Sequence, residues 1–129
     1  MAEAGAVLDS SAVLAVLREE PGAAAVEPLL PGAVLSVVNL AEVLAVLLRQ
    51  GMPAAEASVA VELLGLRLEP ADEALASSAA AIAGASRAQG LSLGDAFCLA
   101  TAKALRLPAV TADRAWSRLK VGVVVKQIR

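Results

Sequence analysis

Four acidic residues stand where a strand-like apolar run of this sequence gives way to a helix-like run: Asp9, Glu42, Asp95 and Asp113. In an open parallel sheet such junctions lie at the carboxyl edge, where these folds bind their ligands. Carboxylates gathered there repel one another, by about 4 kcal/mol for a pair ~4 Å apart at an effective dielectric constant of about 20. A cation between them removes this repulsion, and Mg²⁺ or Mn²⁺ suits ligands that are all oxygen. The residues alone therefore favour a metal-dependent hydrolase of phosphate esters.

Each acid also has a purely structural interpretation, as part of the cap of the helix that follows it. Asp9 can begin a helix together with the two serines after it, and Asp113 can cap a short turn. The segments Asn39–Glu42 and Ser92–Asp95 both match the capping-box pattern, which places an acid at the third helical position. Caps and ligands are thus the two competing interpretations of the same residues.

Three features favour the ligand interpretation when the acids are considered together. Glu42 is the only charged residue within Val34–Leu48, a segment that is apolar on every side. Asp95 shares a helical face with Cys98 and Leu99, so that it lies along a packed surface. All four acids fall at one edge of the sheet once the strand and helix alternation is accepted, and independent caps need not do so.

The residues that the chain lacks exclude several chemistries. There is no His and no Tyr, which excludes Ser-His-Asp and Cys-His catalysis as well as cleavage of RNA by histidine acid–base chemistry. One Cys and no His cannot form a usual zinc site, and one Cys cannot form an internal disulfide, which fits a reducing cytoplasm. A net charge of −2 counts against a protein that coats nucleic acid by charge alone.

The order of predicted elements indicates one α/β domain over residues 1–129 with a buried parallel sheet, because strands alternate with helices and the strands are apolar throughout. The predicted strands are Gly5–Leu8, Ala33–Val37, Leu66–Glu69, Pro108–Thr111 and Val121–Ile128. The predicted helices are Ala12–Glu19, a short one from Pro21 to about Leu30, Asn39–Gln50, Pro53–Leu64, Ala71–Gln89, one from Ser92 or Gly94 to Leu105, and the turn Asp113–Leu119.

Apolar residues make up 58% of the chain, yet the aromatic ones are only Phe97 and Trp116, so the core is expected to consist of Ala, Val and Leu. Cys98 and Trp116 are interpreted as packed core residues. No apolar run reaches the ~18 residues of a membrane span, and Met1–Glu3 lacks the cationic start of a signal peptide. We therefore expect the surplus of apolar surface to be buried in a homodimer and against another protein chain.

Four segments resemble, in order and spacing, the four motif blocks of PIN-domain ribonucleases, and most closely those of the VapC toxins of bacterial toxin–antitoxin pairs. The segments are Val7–Leu14, Val38–Leu44, Gly90–Ala100 and Thr111–Trp116, and the likeness extends from about Ala6 to Ile128. The resemblance implies a three-layer α/β/α sandwich with a central parallel sheet of four to five strands.

The same resemblance implies a function and a set of site residues. Asp9, Glu42, Asp95 and Asp113 match the acidic quartet that binds Mg²⁺ or Mn²⁺ in these endoribonucleases, and Ser11 and Thr111 match hydroxyl positions that support it. It also implies a homodimer and an antitoxin whose C-terminal segment plugs the active site. Hydrolysis by a metal-activated water would leave 5′-phosphate and 3′-hydroxyl ends.

The chain departs from its apparent relatives at two positions. Ala96 stands where many of them carry Arg or Lys, and Ser117 stands where some carry an acid or an amide, which leaves open whether one metal ion binds or two. Arg114, Arg118 and Lys120 are candidates for contacts with RNA phosphates, with a solvated turn as the alternative.

Two other functions stay open at this point. One is a phosphoacceptor or phosphatase-like domain that forms an aspartyl-phosphate on Asp9, although Ser10 and Ser11 stand where such proteins have further acids. The other is a PIN-like binding module without catalysis. The sequence does not name the RNA, the cleavage site or the antitoxin.

Overall fold

Five short parallel strands form the single sheet of the computed structural model, which describes residues 5–129. The strands are β1 (Ala6–Leu8), β2 (Ala33–Ser36), β3 (Arg67–Glu69), β4 (Ala109–Thr111) and β5 (Val125–Gln127), in the order β3-β2-β1-β4-β5. Val7 of β1 is in register with Val34 of β2 and with Ala109 of β4. The first strand of the chain is therefore the central strand of the sheet.

Helices cover both faces of this sheet. They are α1 (Ser10–Leu17), α2 (Ala23–Val26), α3 (Val37–Arg49), α4 (Ala54–Glu62), α5 (Glu73–Ala85) and α6 (Leu93–Leu105), with single 3₁₀ turns at Glu27–Leu29, Arg87–Gln89 and Arg114–Arg118. Because strand side chains alternate between faces, Leu8 packs with α1, α3 and α4 in one core, and Val7 packs with α5, α6 and Trp116 in the other. The predicted three-layer α/β/α sandwich is confirmed.

Burial falls from the centre of the sheet to its edges. All residues of β1, β2 and β4 are buried, whereas β3 and β5 expose most of theirs. The edge strands carry Arg67 and Lys126, and charged side chains on exposed edges oppose pairing with strands of other molecules. The apolar strand runs in the sequence correspond to the buried strands of the centre.

Two helix starts differ from the predictions because the capping residues differ. α1 begins at Ser10 rather than Ala12, since Asp9 is its cap and accepts a hydrogen bond from the backbone N–H of Ala12. α3 begins at Val37 rather than Asn39, since the extended Ser36 accepts a hydrogen bond from the N–H of Val38. The last residue of β2 is thus also the cap of α3.

Two predicted elements are shorter in the structure. The helix predicted over Ala71–Gln89 is α5, which ends at Ala85, and a separate 3₁₀ turn ends at Gly90 with a φ of 67°. The strand predicted over Val121–Ile128 is reduced to β5, because Gly122 has a φ of 77° and interrupts extended backbone. The interpretation of Met1–Glu3 lies outside the described residues. Over residues 5–129, none of the helices combines the length and the apolar character that a membrane crossing needs.

Candidate active site

Asp9 is the most deeply buried acid of the site, with 3% of its surface exposed at the end of β1. Its Oδ1 accepts hydrogen bonds from the Ser11 hydroxyl at 2.7 Å and from the N–H of Ala12 at 2.9 Å. Its Oδ2 accepts one from the Thr111 hydroxyl at 2.5 Å. Since Thr111 ends β4, this carboxylate joins the ends of two neighbouring strands.

The hydroxyl groups continue this network to Asp113. The N–H of Asp113 donates to the Thr111 hydroxyl at 3.0 Å, and the N–H of Ala112 donates to the Ser11 hydroxyl at 2.9 Å. The exposed Asp113 side chain then accepts a hydrogen bond from the N–H of Ala115 through Oδ1. Ser11 and Thr111 therefore connect the side chain of Asp9 with the backbone beside Asp113.

Glu42 is held by residues of two helices. Its Oε1 accepts hydrogen bonds from the Ser10 hydroxyl at 2.7 Å and from the Asn39 side-chain amide at 2.8 Å. The same amide nitrogen of Asn39, a residue only 1% exposed, donates to the backbone carbonyl of Gly94 at 3.1 Å. Asn39 thereby links the Glu42 carboxylate to the first turn of α6.

Gly94 has no side chain, and the Glu42 carboxylate occupies the space where a Cβ atom would stand. A Cβ atom at this position would overlap both carboxylate oxygens of Glu42. The carboxylate cannot simply swing away, since Ser10 and Asn39 both hold Oε1. Glycine here is a condition for the close approach of α3 and α6.

Asp95 follows Gly94 directly and is half-buried. It forms a capping box with Ser92, whose N–H donates to Oδ2 of Asp95 at 3.0 Å, while the N–H of Asp95 donates to the Ser92 hydroxyl at 3.1 Å. Burial raises the pKa of Asp95, the hydrogen bonds with Ser92 lower it, and the nearby charges of Asp113 and Glu42 raise it. The pKa of Asp95 therefore depends on the charges of two of the other site acids.

Burial also raises the pKa of Asp9, from 3.8 to about 6, against the opposing effect of its three hydrogen bonds and with a further contribution from the charge of Asp95. Beneath the acids, the thiol of Cys98 is fully buried, and burial together with the charges of Asp9, Asp95 and Glu42 raises its pKa well above 9.0. Cys98 is a packed core residue, as predicted. The charges of these acids therefore act on one another.

The structure supports the capping interpretation for three of the acids and corrects it for the fourth. Asp9, Asp95 and Asp113 all accept hydrogen bonds at the starts of helical segments. Glu42 does not stand at the third position of α3, because Ser36 rather than Asn39 is the cap. Among residues 5–129, it accepts hydrogen bonds from the side chains of Ser10 on α1 and Asn39 on α3, and from no backbone N–H of a helix start, so helix capping does not explain its presence.

Capping leaves part of each carboxylate available to a ligand. Within residues 5–129, Oε2 of Glu42, Oδ1 of Asp95 and Oδ2 of Asp113 accept no hydrogen bond, and Oδ2 of Asp9 accepts only one. These oxygens have the chemistry that Mg²⁺ or Mn²⁺ prefers, so the donor set fits such an ion. Over the same residues, no three His, Cys, Asp or Glu side chains stand close enough to enclose a metal ion as they are arranged here. Binding would require the carboxylates to turn inward.

The candidate phosphate-binding residues are arranged along the chain that leaves Asp113. Arg114 and Arg118 are exposed at the two ends of a 3₁₀ turn, and Arg114 donates to the backbone carbonyl of Arg129. Lys120 is exposed further on and borders a concavity shared with Lys103. Trp116 within this turn is 1% exposed, which agrees with its prediction as a core residue.

Ala96 and Ser117, the two positions at which the chain departs from its apparent relatives, lie in different environments. Ala96 is fully buried in the core between α6 and the sheet, so this position has no access to an incoming phosphate. Ser117 is exposed, and its hydroxyl donates to the backbone carbonyl of Arg114.

Three residues of the site were not singled out in the sequence: Ser10, Asn39 and Gly94. Asn39 stands three positions before Glu42 and Gly94 directly before Asp95, so their proximity to the acids was visible. Their roles depend on contacts between elements 32 to 55 positions apart, which a single sequence does not reveal.

Comparison with known proteins supports this picture. The family model of the PIN domain matches residues 6–122. No curated protein matches the chain. Among solved structures, the chain is similar to a toxin–antitoxin complex from Klebsiella pneumoniae, with 19% identity, a TM-score of 0.75 and coverage of 97% of this chain and 98% of that one.

Two structures from Mycobacterium tuberculosis are also similar. VapC20, described as a sarcin–ricin loop cleaving toxin, is 19% identical with a TM-score of 0.74, over 88% of this chain and 93% of its own. VapBC-5, a member of the VapBC family of toxin–antitoxin systems, is 26% identical with a TM-score of 0.64, over 98% of both chains.

The raised pKa of Asp9 predicts that the metal-free protein loses stability as the pH rises. Since the folded protein holds this proton more tightly than the unfolded chain, the contribution is complete below pH 3.8 and is lost as the pH rises through about 6. A shift of roughly 2 units corresponds to about 3 kcal/mol. Asp9→Asn should therefore be about 1–3 kcal/mol more stable than the parent at pH 8, as measured by urea unfolding in EDTA. Thr111→Val, which removes a bond that lowers this pKa, should steepen the pH dependence. A parent protein that gains stability between pH 5 and 8 would contradict the assignment.

The contact of Gly94 with Glu42 predicts that Gly94→Ala weakens Mn²⁺ binding about 10- to 100-fold in titration calorimetry, because it displaces a carboxylate of the site. Gly84→Ala is the matched control, since a Cβ atom at this helical glycine meets nothing within 4 Å. The control should bind Mn²⁺ as the parent does and be about 0.5–1 kcal/mol more stable. Equal Mn²⁺ affinities for the two variants would refute a role for Gly94.

Proposed function

This chain belongs to the PIN-domain family, and we propose that it is a Mg²⁺- or Mn²⁺-dependent endoribonuclease that serves as the toxin of a toxin–antitoxin pair. One observation carries the proposal: carboxylates from four separated segments share an edge of the sheet and retain oxygens without a protein donor. A packed core explains none of these free oxygens.

Asp9, Glu42, Asp95 and Asp113 are the residues that would hold the metal. A divalent ion bound there supplies Lewis acidity to a phosphate ester and lowers the pKa of a water molecule. Ser11 and Thr111 orient the Asp9 carboxylate through its hydrogen bonds, and Ser10 and Asn39 orient that of Glu42.

Proton transfer in this site has few candidate groups. The chain has no imidazole and no phenol, so the proton of an attacking water passes to a carboxylate oxygen or to bulk water. The exposed position of Asp113 leaves the edge open to a substrate as large as a polynucleotide. Hydrolysis by water leaves 5′-phosphate and 3′-hydroxyl ends.

The assignment of RNA as the substrate is part of the proposal. VapC20, to which the chain is similar, is described as cleaving the sarcin–ricin loop, which supports an RNA-directed activity but does not name the RNA cut here. Arg114 and Arg118, exposed on the turn that follows Asp113, are placed to contact phosphates next to the scissile one.

An antitoxin and a second copy of the chain are the proposed protein partners. The structures from Klebsiella and the VapBC-5 structure are described as toxin–antitoxin systems, which supports an antitoxin. Exposed apolar side chains remain on α3, α4 and β3, at Leu48, Val59, Leu63 and Leu68. Burial of such residues in interfaces agrees with the apolar surplus of the sequence. A cytoplasmic location fits the single, fully buried cysteine.

The alternative functions receive less support. Aspartyl-phosphate formation needs an accessible nucleophilic oxygen, but Asp9 is 3% exposed and both its oxygens accept hydrogen bonds. A silent binding module would have no need of four acids with free oxygens at one edge.

Incubation of the purified protein with RNA and Mn²⁺ should produce internal cuts, and EDTA should abolish them. Asp9→Asn and Glu42→Gln should lower kcat by at least about 100-fold. Each removes a negative charge that helps to hold the metal, and the metal stabilises the transition state by several kcal/mol. Glu62→Gln, an exposed acid at the end of α4, is the control and should cut as the parent does. End mapping by 5′-phosphate-dependent ligation should succeed; 2′,3′-cyclic phosphate ends or cleavage in EDTA would refute the mechanism.

A further inference from the structure

Four cationic side chains surround two adjoining concavities away from the acids. Lys103 and Lys120 line one of about 410 Å³, and Lys103, Arg106 and Lys126 line the other, of about 360 Å³. Gly122 borders both, so the two are continuous. Each is many times the ~30 Å³ that a water molecule occupies, which leaves room for a hydrated phosphate group.

These concavities lie toward the opposite edge of the sheet from the acids. The second is bounded by residues 106–108, which lead into the start of β4, and by residues 122–124, which lead into the start of β5. Asp9 and Asp113 instead follow the ends of β1 and β4. Because the strands are parallel, starts and ends lie at opposite edges.

Within residues 5–129, the salt bridges include none of these four cations. Neither concavity has an acidic residue in its lining, although Lys103 also borders a third cavity with Glu69 and Asp72. All four side chains are exposed. Four cations in one region are expected to make the local potential positive although the net charge of the chain is −2.

Arg106 occupies its position against a backbone preference. It caps the end of α6 with a φ of 57°, a left-handed conformation that is unfavourable for a residue with a Cβ atom. Glycine adopts such conformations after other helical segments, at Gly51 and Gly90, and Glu19 is the other non-glycine residue with a positive φ among residues 5–129. The strain does not itself identify a ligand. Because glycine adopts this conformation without strain, Arg106→Gly would remove the charge and relieve the strain together.

We propose that Lys103, Arg106, Lys120 and Lys126 form an exosite that binds the phosphodiester backbone of RNA at a distance from the cut. The proposal rests on the proposed nuclease function and adds a second contact region for the same polymer. Arginine presents a planar fork that matches phosphate, and lysine adds mobile positive charge.

The position of β5 sets the distance between the exosite and the acids. The side chain of Gln127 donates to the backbone carbonyl of Asp113, so the end of β5 reaches the acidic edge. The five steps from Gly122 to Gln127 span at most about 17 Å of extended chain. At about 3.4 Å per nucleotide, a strand covers this distance in about five nucleotides.

RNA fits this surface better than an acidic protein segment does. The cations continue from the exosite through Lys120 to Arg118 and Arg114 on the turn after Asp113, the acid at the catalytic edge. A polymer that carries one negative charge per residue and enters the acidic site can contact the cations of this turn as well as those of the exosite. A protein segment would need a separate route.

The test measures binding of a fluorescein-labelled 20-nucleotide RNA by anisotropy in EDTA, so that no RNA is cut. Arg106→Gly should bind the RNA about fivefold more weakly near 0.1 M salt. The plot of log K against log salt has a negative slope, and its magnitude should decrease by about 0.7 for the lost phosphate contact. The double variant Arg106→Gly, Lys126→Gln should lose about 25-fold, with the magnitude of the slope lower by about 1.4. Arg49→Gln, an exposed residue at the end of α3, is the control for net charge and should retain parental binding.

Unchanged RNA binding in the double variant, or an equal loss in Arg49→Gln, would overturn the exosite. Displacement of RNA from the parent by poly-glutamate of equal charge would assign the site to an acidic protein segment and would also overturn the proposal. Thermal unfolding should show that Arg106→Gly is at least as stable as the parent, which separates lost binding from lost folding.

A second arm compares cleavage of the long RNA with cleavage of a dinucleotide, which is too short to reach the exosite, in Mn²⁺. The variants should raise KM for the long RNA and leave dinucleotide cleavage unchanged, whereas a loss on both substrates would place these residues at the catalytic edge and overturn the proposal. If the parent cuts neither RNA, the nuclease function fails, and the binding measurements in EDTA still decide the exosite.

Discussion

The carboxylate of Asp9, buried at the end of the central strand, is the constraint on which the site depends. A charge in this position is unfavourable unless hydrogen bonds surround it, and the Ser11 hydroxyl, the Thr111 hydroxyl and the N–H of Ala12 provide them. The same three bonds join β1, α1 and β4 at one point. The surrounding core of small aliphatic residues allows these elements to approach closely, but it cannot satisfy the charge itself.

The helix caps and the acidic site are one arrangement rather than two competing ones. Asp95 and Asp113 each use one oxygen in the cap of a helical segment, which fixes the carboxylate and leaves the other oxygen without a protein donor. Glu42 reaches the same edge by another route, through Ser10 and Asn39, and its approach depends on the missing side chain of Gly94.

Much of this was predictable from the sequence, because apolar strand runs and acids at strand ends are local patterns. The order of strands and helices and the burial of Trp116 and Cys98 follow from such patterns, whereas the hydroxyl positions Ser11 and Thr111 were implied by the resemblance to PIN-domain ribonucleases. The start of α3 was not predictable from Asn39, since Ser36 competes for the same cap and serves both β2 and α3. The Glu42–Gly94 contact and the cations beside Gly122 depend on packing between distant segments, which no local pattern records.

The central place of β1 has a consequence for synthesis of the protein. A chain made from its N-terminus at about 5–20 residues per second carries β1 for several seconds before β4 exists. The Thr111 hydroxyl that donates a hydrogen bond to Asp9 is 102 positions further along the chain. Asp9 therefore lacks this hydrogen bond during most of translation. Prematurely released polypeptides that stop short of β4 lack this arrangement altogether. The hydrogen-bonded Asp9 carboxylate is therefore expected to form only after β4 has been synthesised.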